Sequence, residues 1–352
     1  MSDRWFPMLA LLCLLAGCAG GAPEAGAGLD AASDAVIEDG DDGKEDGAPA
    51  SPWTSRAACE ARLAGRHRAA RASGVTRLAT WNVRWFPLGR APFDDASTAT
   101  PTDVDWLACA IAWTRPDVLA LEEVLTTPDA VAALDALVAR LGVLDGAPWR
   151  KVVLDCPDPE LQHQAFLYRE DRVDLGEAAA VSLRDDGFVC SSSTRPALRA
   201  RLTARGLPLE LYALHLKSGA DARSYGLRRG AMAALAGPLF EARTRAVALG
   251  DLNSMGCSGC SPKITASEEL AELSAELQVD GVPRAAPDVA CTEYAGTHAG
   301  LLDHVGVAGG GVAAHVDGVC RALACAAPGS PRPSALVTLS DHCPVWVDLP
   351  VP

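Results

Sequence analysis

The sequence predicts an α/β sandwich, and three observations carry that expectation. The 352 residues are 49% hydrophobic and 22% charged, which excludes a wholly disordered chain, a collagen and a coiled coil. From residue 76 onward, short apolar runs alternate with longer amphipathic ones, the two periods that strands and helices leave in a sequence. Arg195–Ala204 and Leu209–Leu216 flank a short Arg205-Gly206-Leu207-Pro208 turn and read as a hairpin, which favours a sandwich over a doubly wound parallel sheet.

In chain order, residues 7–16 (PMLALLCLLA) come first. They are too short to span a bilayer, which needs roughly 20 apolar residues, but have the length of a secretory signal core. The run ends in Leu15-Ala16-Gly17-Cys18, which resembles the lipobox of bacterial lipoproteins. That resemblance implies a signal peptide over 1–17, acylation of Cys18, export, and attachment to a membrane through lipid alone. Residues 18–54 follow as an acidic linker rich in Gly, Ala and Pro, which cannot bury enough apolar surface to offset its ordering entropy. The first 50 residues carry ten carboxylates against Arg4 and Lys44, a net −8 of the total −14. The acidity therefore belongs mainly to the tether, and it weighs little against a polyanionic substrate.

Ten cysteines remain beyond Cys18: Cys59, Cys109, Cys156, Cys190, Cys257, Cys260, Cys291, Cys320, Cys325 and Cys343. In an exported protein this even number predicts up to five disulfides, and Cys257-Ser-Gly-Cys260 is read as a structural bridge. Residues 55–75 form a helical, Arg- and Ala-rich extension, and 76–352 form one large domain. Within it, strands are expected over Arg77–Val83, Val118–Val124, Ala165–Tyr168, Ala197–Ala204, Leu209–Leu216, Ala246–Leu252, Leu302–Val307, Ala335–Leu339 and Val345–Leu349. Helices are expected over Asp103–Thr114, Pro128–Leu141, Ser224–Thr244 and Ser267–Leu277.

The polar residues fall at strand ends. Asn82 ends LATW, Glu122-Glu123 end VLAL, His215 ends LYAL, and Asp251 ends VALG with Asn253 two residues on. Asp303-His304 and Asp341-His342 follow two further apolar runs. A single polar strand end is ordinarily a solvated terminus. Six endings drawn only from Asn, Asp, Glu and His would supply oxygen ligands for a hard divalent cation and imidazoles for proton transfer or phosphate binding.

These strings resemble the endonuclease/exonuclease/phosphatase superfamily, the deoxyribonuclease I-like fold. TWNVRW (80–85), DVLALEEV (117–124), AFLYR (165–169), STRPALRARL (193–202), LHLKSG (214–219), ALGDLN (248–253), LLDHVGV (301–307) and SDHCPV (340–345) occur in the family's order. The resemblance implies a four-layer α/β sandwich and Mg²⁺-dependent phosphoester cleavage, with Mn²⁺ or Ca²⁺ as other candidate ions. It makes Glu123 the main metal ligand, with Asn82 and Asp341 beside it and Glu122 behind it. It makes His342 the base or phosphate-polarising imidazole, with Asp303 or Asp341 as its carboxylate partner. Asp251 and Asn253 would orient the attacking water, and His215 would bind a phosphate oxygen.

One departure stands out: where deoxyribonuclease I-like members carry a Glu that pairs with the first histidine, this chain has Gln162. A neutral amide cannot stabilise an imidazolium, so a phosphate-binding role suits His215 better than an acid role. Arg195, Lys217, Arg223, Arg228 and Arg229 are neighbours that could line a phosphate groove. His67, His163, His298 and His315 are read as bystanders. Three functions stay open: a nuclease on nucleic acid, a phosphodiesterase or phosphatase on lipid or inositol phosphate headgroups, and an inactive cell-surface binding module. A monomer is expected.

Overall fold

The computed structural model describes residues 50–350 except 92–99, 155, 159, 185–189, 191–193, 243 and 244. The residues expected to form a signal peptide, Cys18 and most of the expected acidic linker lie outside the described residues. No helix among the described residues is long and apolar enough to cross a membrane.

Two mixed sheets form the centre. The first runs in the order β12 (Ala314–Val316), β13 (Val345–Pro350), β1 (Val75–Phe86), β2 (Val118–Val124), β4 (His163–Arg169) and β3 (Trp149–Val153). The second runs β11 (Asp303–Val307), β8 (Ala246–Asp251), β7 (Leu207–His215), β6 (Ala197–Ala204) and β5 (Val173–Val181). β9 (Glu293–Ala295) and β10 (His298–Gly300) make a separate short hairpin. Contacts of β1 with β8 and of β2 with β7 bring the two sheets face to face.

Helices cover the outer faces. α1 (Arg56–Ala64), α2 (Val104–Thr114) and α3 (Pro128–Asp145) lie on the first sheet, where Trp106, Leu107 and Ile111 join Leu78, Leu119 and Phe166 in one buried cluster. α4 (Ala222–Ala242) and α5 (Ala266–Val279) lie on the second, with Met232, Leu235, Leu273 and Leu277 packed on Tyr212, Leu214 and Ala248. This is the four-layer α/β sandwich that the sequence predicts. Helix starts follow local chemistry: Asp103, Thr127 and Thr265 cap α2, α3 and α5 through side-chain oxygens, the last in a full capping box.

Two expectations are corrected. The helical extension ends at Ala64, because the Gly65 N–H closes onto the Ala61 and Leu63 carbonyls; beyond it the chain is held by Arg68 on Asp145 and Arg71 on Asp117. Ala335–Leu339 is not a strand. Ser334–Thr338 forms a short helix, α7, beside α6 (Gly318–Ala322). A five-residue apolar run carries no period of its own, so packing decided its form. The hairpin is tighter than expected: Arg205 (φ 53°) and Gly206 (φ 85°) alone form the turn, the two-residue geometry that matches strand twist.

All five disulfides form: Cys59–Cys109, Cys156–Cys190, Cys257–Cys260, Cys291–Cys325 and Cys320–Cys343.

Candidate active site

Strand register assembles the site. His215 on β7 lies opposite Asp251 on β8, and Asp251 lies opposite Asp303 on β11, so one row of the second sheet presents three of the expected residues. Close approach makes this row possible: a Cβ on Gly250 would stand 2.0 Å from the Leu214 carbonyl oxygen. On the first sheet Asn82 lies opposite Glu122, and the register then slips so that Glu123 (φ 64°) turns toward the second sheet. Asn253 is also left-handed, at φ 49°. Backbone strain at two polar residues of one cluster is held in place only by the structure around them.

The side chains meet at that edge. Asn82 Nδ2 donates to Glu123 Oε1 at 3.2 Å and to Asp251 Oδ2 at 3.1 Å, while its Oδ1 accepts from the Arg84 N–H at 3.0 Å. Glu123 Oε2 accepts from the Trp85 N–H at 3.0 Å. The Asn253 N–H donates to Asp251 Oδ1 at 2.8 Å. Ser340, which donates to the Asn82 carbonyl at 2.6 Å, fixes the segment that carries Asp341 and His342. His342 Nδ1 meets Asp303 Oδ2 at 2.8 Å. Asp251, Asp303 and His342 each place one ligand-capable atom within 4.8 Å of the others'.

The two histidines are in opposite electrostatic states. Burial works against the charged form of His342, but the charge and hydrogen bond of Asp303, with Asp251 and Asp341, override it and hold its pKa well above the ordinary value. His215 is pushed well below that value by burial, then by Arg195, His342 and Lys217. Its Nε2 stands 3.6 Å from Glu123 and 3.7 Å from Asp251, and its Nδ1 has no hydrogen-bond partner among the described residues. Gln162, expected to orient this ring through its amide, makes no hydrogen bond to it. Burial raises the pKa values of Glu122 and Glu123, and that of Asp251 to about 7.

Every site residue named from the sequence except Cys18 lies in or beside this cluster: Asn82, Glu123, His215, Asp251, Asn253, Asp303, Asp341 and His342. Glu122 lies behind it, fully buried and accepting from Thr80 Oγ1 at 2.7 Å. His304 points the other way, bonded to the Leu301 carbonyl with its pKa pushed down to about 3 by burial. The arginines separate. Arg228 is a structural ion pair with Glu269, Arg229 pairs with Glu272 and Glu276, and Arg223 is exposed; only Arg195 reaches the site. Glu293 is the residue that the sequence reading missed. It bridges to His342 across β9, and burial raises its pKa to about 7. No apolar run precedes it, so the strand-end pattern could not flag it.

A cation fits these groups. The donors are hard oxygens, Asp303 Oδ1 is buried without a partner, and the carboxylates outnumber His342 and Arg195 as neighbouring cations.

The fold, two packed mixed sheets flanked by helices, is of the kind found in structures of endonuclease/exonuclease/phosphatase proteins. No protein-family model matches the sequence, and no curated protein does. Among solved structures, the chain is similar to an endonuclease/exonuclease/phosphatase family protein from Bacteroides thetaiotaomicron (TM-score 0.53, 16% identity, covering 78% of this chain and 97% of that one). It is similar to D. rerio TDP2 complexed with a single-strand DNA product (0.52, 15%, 78% and 99%). It is also similar to a mannosyl-6-phosphatase from Bacteroides thetaiotaomicron (0.52, 16%, 77% and 98%).

Proposed function

We propose that the protein is a divalent-metal-dependent phosphodiester hydrolase that acts on nucleic acid. The observation that carries this reading is the convergence of Asn82, Glu123, His215, Asp251, Asn253, Asp303 and His342 at one sheet edge. Glu123 and Asp341 would hold the cation, with Asn82 beside it. Bound there, the cation, Mg²⁺ as the first candidate, would withdraw charge from the phosphate oxygens.

The chain's own groups do the rest. His342, kept protonated by Asp303, donates from Nε2 to a phosphate oxygen and stabilises the charge that develops on it. Asp251, oriented by the Asn253 N–H and the Asn82 amide, accepts the proton of the attacking water. His215 stays neutral and holds a phosphate oxygen through Nε2, because no carboxylate supports a cation from the Nδ1 side.

Export and lipid attachment at Cys18 complete the reading. Five disulfides support an oxidising compartment, and the lipobox-like LAGC supplies the anchor. A Cys18→Ser protein is expected in the soluble fraction, and one that still partitions with membranes overturns the anchor. The anchor also favours a second reading, hydrolysis of lipid or inositol phosphate headgroups. The deciding assay incubates the purified protein with plasmid, sphingomyelin and phosphoinositides, with Mg²⁺ or EDTA. Plasmid nicking lost on chelation is expected. Headgroup release without nicking selects the lipid enzyme, and no turnover of any ester selects a binding module.

A further inference from the structure

His342 lies in the loop between α7 and β13, and side chains hold both of its backbone polar groups. Its N–H donates to Ser340 Oγ at 3.0 Å, and its carbonyl accepts from Trp81 Nε1 at 3.0 Å. On a fixed backbone the ring meets Asp303 by settling into one rotamer; on a loose one it must order the loop as well. Trp81 precedes Asn82 on β1, so its side chain points to the opposite face of the sheet, where it is 2% exposed.

The group that orients the Trp81 indole comes from ahead of the sandwich. Trp53, in the segment before α1, stands edge-on to Trp81 with ring centroids 5.9 Å apart and planes crossed at 77°. Trp113 of α2 meets Trp53 in the same way, at 6.0 Å and 78°. The Trp53 N–H donates to Asp317 Oδ1 at 3.1 Å, and Trp106 Nε1 donates to the preceding carbonyl, that of Pro52, at 3.0 Å. Six residues on, the Cys59–Cys109 disulfide joins α1 to α2. Trp53 is therefore a buried ring held from several sides, and an edge-to-face pair favours one orientation of its partner. None of the strings that carry the family resemblance reaches back to residue 53.

We propose that Trp53 is a positioning residue for His342: it fixes the Trp81 indole, whose N–H holds the His342 carbonyl, so that the segment ahead of the sandwich completes the reaction centre. The proposal rests on the phosphodiester-hydrolase reading above. Trp53 touches no reacting group, and its effect passes through one ring contact and one hydrogen bond. A misplacement of about 1 Å at a reacting group can cost about a hundredfold in rate; a buttress one side chain removed should be worth about tenfold. A tryptophan that merely filled the core would change stability and leave the kcat of the folded protein alone.

Trp53→Leu keeps apolar bulk and removes the ring edge. In the folded variant, kcat on bis(4-nitrophenyl) phosphate with Mg²⁺ is expected to fall about tenfold while KM stays within about twofold. Trp53→Phe restores an edge and should recover most of the loss. Trp81→Phe deletes the N–H and should lower kcat similarly, and adding Trp53→Leu should then cost little more, because both act through one bond. Leu134→Ala, a core truncation on α3 away from this route, should destabilise the fold with kcat unchanged. A readout that needs no substrate is the low-field proton resonance of the His342–Asp303 hydrogen bond, identified by its loss in His342→Ala. Trp53→Leu should shift or broaden it, and Leu134→Ala should not. In an active wild type, an unmoved kcat or an unmoved resonance in Trp53→Leu overturns the proposal. So does a fully additive loss in the double variant, a Trp53→Phe protein no better than Trp53→Leu, or an equal loss in Leu134→Ala. A wild-type protein inactive on every ester removes the hydrolase reading instead, and the resonance alone then decides whether Trp53 positions the ring.

Discussion

The two buried histidines show how much a single neighbour decides. His342 and His215 are both within the cluster, yet Asp303 beside one and an unpartnered Nδ1 on the other set them on opposite sides of neutrality. His342→Ala should therefore lower kcat by at least about a hundredfold under conditions where the variant remains folded; near-wild-type turnover would remove it from the site. A second carboxylate tests burial away from the chemistry. Asp317 Oδ1 accepts from Trp53 Nε1 at 3.1 Å and from the Gly318 N–H at 2.7 Å, and burial raises its pKa from 3.8 to about 6. The folded state then binds this proton more tightly than the unfolded chain. The resulting stability is present in full below the unfolded pKa of 3.8 and is lost as pH rises toward about 6. Asp317→Asn keeps the acceptor and removes the titration, so relative to wild type it should gain about 2 kcal/mol between pH 4 and pH 7.5. Urea midpoints at the two pH values check this; an equal difference at both would refute it. At this scale the sequence was legible wherever an apolar strand delivered a polar end, as at Asn82, Glu123 and Asp251. It was silent at Glu293, which a three-residue strand brings in by pairing alone.

Among the elements, the central strands were readable and the edges were not. β2 and β6 match their expected bounds because both lie inside a sheet and bury apolar faces. β3 (WRKVV) and β5 (VDLGEAAAV) lie at sheet edges, where exposed polar and small residues blur the period. Two element-level devices hold the site. Gly250 lets β8 approach β7, and at φ 140° with the Leu214 oxygen in the way no other residue fits. Gly250→Ala should destabilise the fold by at least about 2 kcal/mol, and thermal unfolding would show it; an unshifted midpoint would mean that β8 has room to move. The Cys320–Cys343 disulfide joins α6 to the residue that follows His342, across 23 positions. Replacing both cysteines by serine should lower stability by about 2–4 kcal/mol. Turnover should also fall under conditions where the variant remains folded, because the His342 segment loses its tie. Full activity in a destabilised but folded variant would show that the histidine is positioned without that tie.

For the molecule as a whole, charge is divided between two regions with different physics. Residues 1–50 carry −8 of the net −14. The sandwich gathers Glu122, Glu123, Asp251, Glu293, Asp303 and Asp341 around one sheet edge, opposed there by His342 and Arg195. Such a surplus is unfavourable without a counter-ion, since buried carboxylates in contact raise one another's pKa or recruit a cation. Cation binding to the folded state alone must then stabilise it, by about 2.7 kcal/mol at a hundred times the dissociation constant. For a domain of this size, that corresponds to a rise of several degrees in the unfolding midpoint. Mg²⁺ titration followed by scanning calorimetry should show the rise, and EDTA should reverse it. Glu123→Gln should abolish most of it while raising the metal-free midpoint, because one of the repelling carboxylates is gone. A wild-type midpoint indifferent to Mg²⁺, Mn²⁺ and Ca²⁺ would mean that protons, not metal, balance the edge, and hydrolysis would then have to proceed on His342 and Asp251 alone.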